Sequence, residues 1–273
     1  MEVDNLKDLQ QEELQILVDF QLYCQQNDLK YFLIGGALLG ATRNKSFIPW
    51  DDDIDVAMFR NDYERLQSCW KLNPLQSYFL QSSETDPLYA REILKLRKKG
   101  THIIETECQH LSINDGIYID IFPIDYVNEG CTKTIKRRAK LIRYLMTCRT
   151  IKSGYKGNKY MWLKRIIKLL LTPLPSIIID KCIYKLCTKE NTLDKNYAVL
   201  YLHNYPVERQ IHSVDIFGVG RPCCLEGFQF IAPQNTNAFL TKVFGNNYMQ
   251  IPPKDKQKMP HNYKNIVFSK KNN

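Results

Sequence analysis

The chain has 273 residues, of which 44% are hydrophobic and 25% are charged, a composition that excludes a disordered or fibrous protein. The sequence contains no run of about 18 apolar residues, and its acidic, amphipathic N-terminal segment lacks the apolar core of an export signal. The nine scattered cysteines are therefore expected to be free thiols in a reducing cytosol. Four of them could instead bind zinc, although their spacings fit no standard pattern: Cys182, Cys187, Cys223 and Cys224.

The predicted elements begin with a helix that ends near Gln26, followed by the β-prone run "KYFLIGG" and a second helix directly after its glycines. A run of aspartates then leads into the strand "IDVAMF". Asn61 and Glu64 have the spacing of a capping box, which predicts the start of the next helix. Three further strands are predicted at "SYFLQS", "EILKLRKKG" and "THIIETE". A fourth, "GIYIDIFPIDYV", is predicted to end at Pro123.

From about residue 132 to residue 190 the pattern becomes helical and basic. A hairpin is predicted to turn at Glu226-Gly227, and a helix to end before Gly245, with an extended tail after it. Helices interleaved with short strands predict an α/β or α+β fold with a mixed sheet flanked by helices. We expect three regions: a catalytic core at 1–130, a basic helical region at 131–210, and a C-terminal hairpin, helix and tail at 211–273.

Four aspartates fall within five positions of the segment "IPWDDDIDVAM". Side chains alternate between the two faces of a strand, so Asp51, Asp53 and Asp55 are expected to share one face. Ile54 is expected to point the other way, into the core. Asp52 also lies on the opposite face, near the start of the strand, where we expect it to be solvated or to cap the backbone.

Carboxylates that share one face repel one another unless a cation neutralises them. Mg²⁺ prefers carboxylate oxygens and the phosphates of substrates, so the pattern indicates an Mg²⁺ or Mn²⁺ site. Asp120 lies in an apolar strand, and a metal shared with Asp53 and Asp55 would compensate for its burial. Two structural alternatives stay open: the aspartate run could be a solvated turn, and Asp120 could pair with a lysine. The pair Gly35-Gly36 adds a possible phosphate-binding turn.

The string "FLIGGALLGATRNKSFIPWDDDIDVAMFRNDYERL", with "DGIYIDIFPIDYV" downstream, resembles the LicD family, which includes bacterial phosphocholine transferases and is related to the fukutin group. The segment "LEGFQFIAPQNTNAFLTKVFGNNYMQIPPKDKQKMPHN" is similar to the closing segment of that family. The resemblance covers roughly residues 30–125 and 215–262. One departure is Gln257, which stands where an arginine is usual before the closing histidine.

The LicD family is similar to nucleotidyltransferases of the polymerase-β type, which implies that fold for the core. The resemblance also implies a role for each acidic or glycine motif. Gly35 and Gly36 would form the phosphate-binding turn, and Asp120 would be the third acid on the neighbouring strand. Asp53 and Asp55 would be the metal ligands of the D-x-D motif. Asp51 would be a further ligand or would support one.

The resemblance further implies that an acceptor hydroxyl attacks the phosphate next to choline, or a similar group, in a CDP-linked donor such as CDP-choline, and that CMP leaves. The acceptor would be a cell-surface glycan or its lipid-linked precursor. A metal on Asp53 and Asp55 would stabilise the leaving group, and Asp120 is our candidate for the general base. Two rival hypotheses stay open: a glycosyltransferase with a D-x-D motif, and a non-catalytic protein that binds membranes or nucleic acid.

Five further residues are candidates for substrate binding. Arg43 follows the glycine helix and could reach phosphate oxygens. Lys95 and Arg97 alternate with leucines and therefore share one face of their strand, which is either the acidic site or an exposed edge. Trp50 could stack on a base or contact a quaternary ammonium, or it could belong to the core. His261 could contact substrate or be structural.

The positive charge is concentrated in one segment. Residues 131–180 carry 13 Lys or Arg and one acid, against a net charge of +9 for the whole chain. Cations mixed with Leu, Ile and Trp, as in "WLKRIIKLLL", suit a helix that lies on an anionic membrane. A solvated helix is the alternative, and the segment lacks any recognised nucleic-acid module, so we expect no nucleic acid as a partner. The prediction is a cytoplasmic protein that binds peripherally to the inner face of the membrane.

Overall fold

The structure is a computed structural model, and it describes residues 3–128, 130, 132–155, 169–192 and 194–268. The helices are α1 Val3–Gln26, α2 Gly35–Asn44, α3 Arg60–Leu72, α4 Lys133–Ser153, α5 Ser176–Cys187, α6 Val207–Gln210 and α7 Thr236–Phe244. The strands are β1 Phe32–Leu33, β2 Asp55–Phe59, β3 Tyr78–Gln81, β4 Leu94–Lys98, β5 His102–Glu105, β6 Tyr118–Val127, β7 Tyr197–Val199, β8 Ile211–Ser213, β9 Arg221–Leu225, β10 Phe228–Ala232 and β11 Tyr263–Val267.

A mixed sheet forms the centre of the molecule, in the order β1-β2-β6-β4-β3, with β7 paired to the far end of β6 and β8 paired to β7. Strands β2 and β6 are parallel, and the other pairs of this sheet are antiparallel. Helix α1 covers the sheet with an apolar stripe that includes Leu9, Leu17 and Phe20, each at most 1% exposed. The prediction of a mixed sheet flanked by helices is therefore confirmed, whereas the polymerase-β likeness stays a prediction.

Strand β6 continues through Pro123, so the prediction that it ends there is wrong. One edge of β6 pairs with β4 up to Ile121, and the same strand pairs with β7 from Asp125 onward. Pro123 lies between these two paired stretches, where none of the described strands is an antiparallel partner that requires the N–H group that proline lacks. A single long strand can therefore join the two parts of the sheet.

Helix α3 begins at Arg60, so the predicted capping box at Asn61 and Glu64 is also wrong. The ring of Phe59 stacks on Tyr126 with centroids 4.8 Å apart, and the guanidinium of Arg60 binds the buried carboxylate of Asp125 at 2.8 Å. These contacts with β6 turn the chain directly from strand into helix, without a side-chain cap. The hairpin at Glu226-Gly227 and the helix that ends before Gly245 are both confirmed.

Some of the positive charge of residues 131–180 stabilises the fold. On α4, Arg138 binds Glu190 and is 7% exposed, and Arg149 is 1% exposed. Exposed apolar side chains on α4 and α5 include Leu141, Tyr144 and Ile177. Most of "WLKRIIKLLL" lies outside the described residues. Among the helices that the structure describes, none is long and apolar enough to cross a bilayer.

Arg149 joins α4 to the rest of the protein, and its loss is expected to cost about 3 to 5 kcal/mol of stability. Its Nε donates to Asp180 at 2.7 Å, and its Nη2 donates to the carbonyls of Pro87 at 3.0 Å and Tyr89 at 3.3 Å. Arg149→Met would leave the carboxylate of Asp180 without its cation. Urea denaturation followed by circular dichroism measures the loss.

Lys140→Met on the exposed side of the same helix is the control, and we expect it to change stability by no more than about 0.5 kcal/mol. Equal effects of the two substitutions would contradict a structural role for Arg149.

Candidate active site

The aspartate run is mainly a loop. Strand β2 begins at Asp55, and residues 51–54, here called the acid loop, precede it outside any strand. The alternation argument for Asp51 and Asp53 is therefore wrong, although Ile54 is fully buried as predicted. A side chain of α1 holds the acid loop in place. The buried side-chain amide of Gln10 donates a hydrogen bond to the backbone carbonyl of Asp51 at 2.8 Å.

A cavity of about 800 Å³ nevertheless brings the predicted acids together. Asp51, Asp53 and Asp55 line one wall, and Asp120 lies opposite Asp55 in the parallel pairing of β6 with β2. Asp51 and Asp120 are each 8% exposed. The cavity therefore has a wall of four carboxylates, drawn from the loop and two central strands.

Gly35 and Gly36 begin α2 directly against these carboxylates. A Cβ atom on Gly36 would lie 1.8 Å from Oδ2 of Asp51, and one on Gly35 would lie 2.5 Å from Oδ2 of Asp55. Gly35 also has a φ of +61°, which favours glycine. Both glycines line the cavity, and the absence of their side chains leaves the room in which the acids lie.

Asp52 is fully buried, so the expectation that it is solvated is wrong. Its carboxylate accepts the backbone N–H of His261 at 3.2 Å and lies 3.0 Å from Nδ1 of the same residue. The hydroxyl of Tyr263 donates to the carbonyl of Asp52 at 3.3 Å, and Tyr263 belongs to β11, which pairs with β5. Burial lowers the pKa of His261, but the hydrogen bond and the charge of Asp52 outweigh burial and raise it.

His261 lines the cavity as well, with Nδ1 3.8 Å from Oδ2 of Asp53. Among the described His, Cys, Asp and Glu residues, one group has ligand atoms that all lie within 4.8 Å of one another: Asp52, Asp53 and His261. Within that same part of the chain, the four cysteines considered for zinc form no such group.

Lys95 is the partner of Asp120, with Nζ 3.0 Å from Oδ1 and 3.7 Å from a carboxylate oxygen of Glu105. The salt bridge considered for Asp120 is therefore present, and Lys95 lines the cavity. Arg97 shares the buried face, as predicted, but donates to Gln81 at 2.5 Å and to the carbonyl of Gly116 at 2.6 Å. Both cations are 2% exposed, which excludes the exposed-edge alternative.

Arg43 and Trp50 also line the cavity. The guanidinium of Arg43 donates to the backbone carbonyls of Tyr248, at 2.7 Å from Nε, and of Gln250 at 2.9 Å. Arg43 therefore binds the C-terminal segment to the end of α2. Trp50 is half-buried and packs partly against the core, whereas its contact with a base or a quaternary ammonium stays a prediction.

Three residues near the site were missed in the sequence. Glu13 of α1 is 1% exposed, and burial, followed by the charges of the acid loop, raises its pKa well above the usual range. The sequence did contain a signal for Glu13, because this charged residue lies within the apolar stripe of α1. Arg91 lines the cavity and pairs with Glu105 at 3.3 Å. His203 places Nε2 3.7 Å from Oδ2 of Asp55, and no local pattern marks it.

Two carboxylates of the acid loop, those of Asp51 and Asp53, bind protons more readily than isolated carboxylates. Burial, and then the charges of Asp55 and Asp52, raise the pKa of Asp51 to about 7. Burial, and then the charges of the neighbouring aspartates, first among them Asp55, raise the pKa of Asp53 well above its usual range. Of the described buried polar atoms, Oδ2 of Asp51 is among those without a hydrogen-bond partner. Lys95 is near Oδ1 of Asp120, but not in hydrogen-bond geometry. This set of oxygens fits a divalent cation.

These pKa shifts predict how the stability of the metal-free protein depends on pH. A carboxylate whose pKa is raised by folding stabilises the protein below its unfolded pKa, near 4, and loses that contribution as the pH rises through its folded pKa. For Asp51 the window runs from about 4 to about 7. We therefore expect the thermal midpoint to fall between pH 5.5 and pH 7.5, and Mg²⁺ to restore it at pH 7.5.

Differential scanning calorimetry with EDTA or Mg²⁺ measures both effects. The variant Asp51→Asn should show a smaller fall across the same pH range because it lacks one of the titrating carboxylates. A midpoint of the metal-free protein that rises from pH 5.5 to pH 7.5 would contradict the shifts.

Comparison with known proteins identifies the family of this chain. Residues 28–143 match the family model described as LicD/FKTN/FKRP, nucleotidyltransferase domain. Over 259 residues, the chain is 30% identical to the lipopolysaccharide cholinephosphotransferase LicD of Haemophilus influenzae, a match that covers 91% of this chain and 92% of that protein. The chain belongs to the LicD family, so the prediction of a LicD-like transferase is confirmed.

Two shorter matches are to uncharacterized proteins of Rickettsia. The protein of Rickettsia prowazekii is 38% identical over 53 residues, which is 19% of this chain and 20% of that protein. The protein of Rickettsia typhi is 38% identical over 48 residues, which is 18% of this chain and 16% of that protein. These two matches add nothing about function to the match with the Haemophilus influenzae protein.

Proposed function

We propose that this protein transfers a phospho-alcohol group, phosphocholine in the first instance, from a CDP-linked donor such as CDP-choline to a hydroxyl of a cell-surface glycan or its lipid-linked precursor. The observation that carries the proposal is the cavity of about 800 Å³ with four carboxylates on one wall. The relative from Haemophilus influenzae, named as a lipopolysaccharide cholinephosphotransferase, supports the choice of phosphocholine and of a glycan acceptor.

We include Mg²⁺ or Mn²⁺ in the proposal, with Asp53 and Asp55 as principal ligands and Asp51 and Asp120 as further oxygen donors. The unpaired Oδ2 of Asp51 and the raised pKa of Asp53 support this choice, because a divalent cation would relieve both. When bound, the ion supplies positive charge that stabilises the diphosphate oxygens as CMP leaves.

The residues of the chain then have separate tasks. The acceptor oxygen forms a bond to the phosphorus that carries the alcohol, the bond from that phosphorus to the bridging oxygen breaks, and CMP takes the electron pair. Asp120 accepts the proton of the acceptor hydroxyl. Burial raises the pKa of Asp120 although Lys95 lowers it, and a raised pKa makes a carboxylate a better base. Lys95 and Arg91 supply cationic charge beside the diphosphate.

A panel of donors tests the proposal. The purified protein is incubated with Mg²⁺, lipopolysaccharide and one of CDP-choline, CDP-ethanolamine, CDP-glycerol or CDP-ribitol, and the release of CMP is measured. We expect release with CDP-choline, its loss in EDTA, and a gain of phosphocholine by the acceptor in mass spectrometry. An acceptor that gains a sugar from a nucleotide sugar, without phosphate, would instead establish the glycosyltransferase hypothesis.

Binding of residues 131–180 to an anionic membrane stays a prediction, as does the cytoplasmic location. The exposed apolar side chains of α4 and α5 support it, whereas the buried ion pairs of Arg138 and Arg149 show that part of the positive charge has a structural task. Nucleic acid has no part in the proposal.

A further inference from the structure

Four rings follow one another along the wall of the cavity and are here called the aromatic ladder: Phe122, His203, Tyr205 and Phe244. Phe122 and His203 have centroids 4.9 Å apart, and His203 stacks on Tyr205 at 5.1 Å with 9° between the planes. Tyr205 meets Phe244 at 5.7 Å and 80°, so the last two rings form a corner.

The aromatic ladder begins beside the acids, because Nε2 of His203 lies 3.7 Å from Oδ2 of Asp55. Backbone contacts fix its middle: the N–H of Tyr205 donates to Nδ1 of His203 at 3.4 Å, and the carbonyl of Tyr205 accepts from Arg143 at 3.1 Å. The aromatic ladder therefore leads from Asp55 to the corner formed by Tyr205 and Phe244.

The charge around the corner favours a cation. Burial raises the pKa of the Tyr205 hydroxyl, the charges of Asp55, Asp51 and Asp53 raise it further, and the charge of Arg209 lowers it. The acids therefore contribute more than this arginine to the field at the ring. Stacking alone would suit the neutral cytosine ring equally well. A ring face within a negative field attracts a cation more strongly, and a quaternary ammonium needs no hydrogen-bond acceptor.

We propose that Tyr205 and Phe244 form the subsite for the quaternary ammonium group of the donor. This assignment rests on the proposed function and adds the residues that select choline among CDP-linked alcohols. A choline nitrogen stands two carbons from its phosphate oxygen, so a phosphate near the acids would place that nitrogen along the aromatic ladder, toward the Tyr205–Phe244 corner. The cytidine group then lies elsewhere in the cavity.

Comparing CDP-choline with CDP-3,3-dimethylbutanol tests the assignment, because the second donor replaces the charged nitrogen by carbon at nearly equal shape. We expect the wild-type protein to use CDP-choline with a kcat/KM about tenfold or more above that for the neutral donor. In Tyr205→Leu and Phe244→Leu the ratio should fall toward one, while Tyr205→Phe, which keeps the ring, should retain it.

Phe228→Leu is the matched control, since Phe228 is an exposed ring on the hairpin, outside the described lining of the cavity. This variant should keep the wild-type ratio. Circular dichroism shows whether each variant folds. Isothermal titration of the wild-type protein with phosphocholine and with 3,3-dimethylbutyl phosphate makes the same comparison without turnover, and phosphocholine should bind more tightly.

Turnover of both donors at equal kcat/KM would overturn the subsite and leave the proposed function standing. Leucine variants that lower the use of both donors equally would do the same, because the rings would then bind the cytidine group. If no CDP-linked donor releases CMP, the proposed function fails and the assignment fails with it.

Discussion

Replacing Asp53 or Asp55 with asparagine is expected to lower the rate of CMP release by about a thousand-fold. Asparagine keeps the shape of the side chain but removes the charge that would bind a divalent cation. The fold should survive, because each substitution removes repulsion from a crowded cluster, and burial together with its neighbours already raises the pKa of Asp53. Activity and stability should therefore move in opposite directions.

Coupled assays of CMP release measure the activity, and thermal melting in EDTA measures the stability. Asp215→Asn, at an exposed carboxylate outside the described lining of the cavity, is the control and should leave both unchanged. Wild-type activity in either site variant would remove that carboxylate from the proposed metal site. A large fall in the thermal midpoint would instead show a structural task for the charge.

Gly36→Ala is expected to lower activity by about a hundred-fold, because displacing a catalytic group by about 1 Å can cost that much. The new Cβ would lie 1.8 Å from Oδ2 of Asp51, so either the carboxylate or the start of α2 must shift. Rotation of the aspartate side chain is the easier change, and stability should therefore fall little.

A double-mutant cycle with Asp51→Ala identifies the cause. If the clash with Asp51 explains the loss, Gly36→Ala should have little further effect once that carboxylate is absent. Gly130→Ala is the matched control, since its Cβ would lie at an ordinary 3.5 Å from Tyr197. Additive losses in the cycle would show that Gly36 acts through the backbone of α2.

Much of the fold was predictable because it rests on local patterns. The glycine turn, the hairpin at Glu226-Gly227 and the helix before Gly245 each follow from a few neighbouring residues. Errors arose where a contact distant in sequence decides the outcome. Pro123 is tolerated inside β6 because β4 and β7 leave a gap beside it, which the sequence of β6 does not reveal.

The candidate site divides in the same way. Asp51, Asp53, Asp55 and Asp120 were found by their residue type and spacing, and they do line one cavity. The strand predicted for residues 51–54 is wrong, because the acid loop precedes β2. Asp51, Asp53 and Asp55 nevertheless line the same cavity, and Ile54 is buried.

The environment of His203 was not predictable. Its ring reaches Asp55 because the chain after β7 returns along the cavity, which is a property of the tertiary structure. Its neighbours along the chain carry no motif that would mark it as part of the site.

The contact between Asp52 and His261 joins residues 209 positions apart. During synthesis on the ribosome, the carboxylates of the acid loop emerge long before the histidine that binds Asp52 and the strand β11 that fixes it. The cavity therefore lacks this contact until the segment that carries His261 and β11 has been synthesised. Until then Asp52 lacks the partner that it binds in the folded protein.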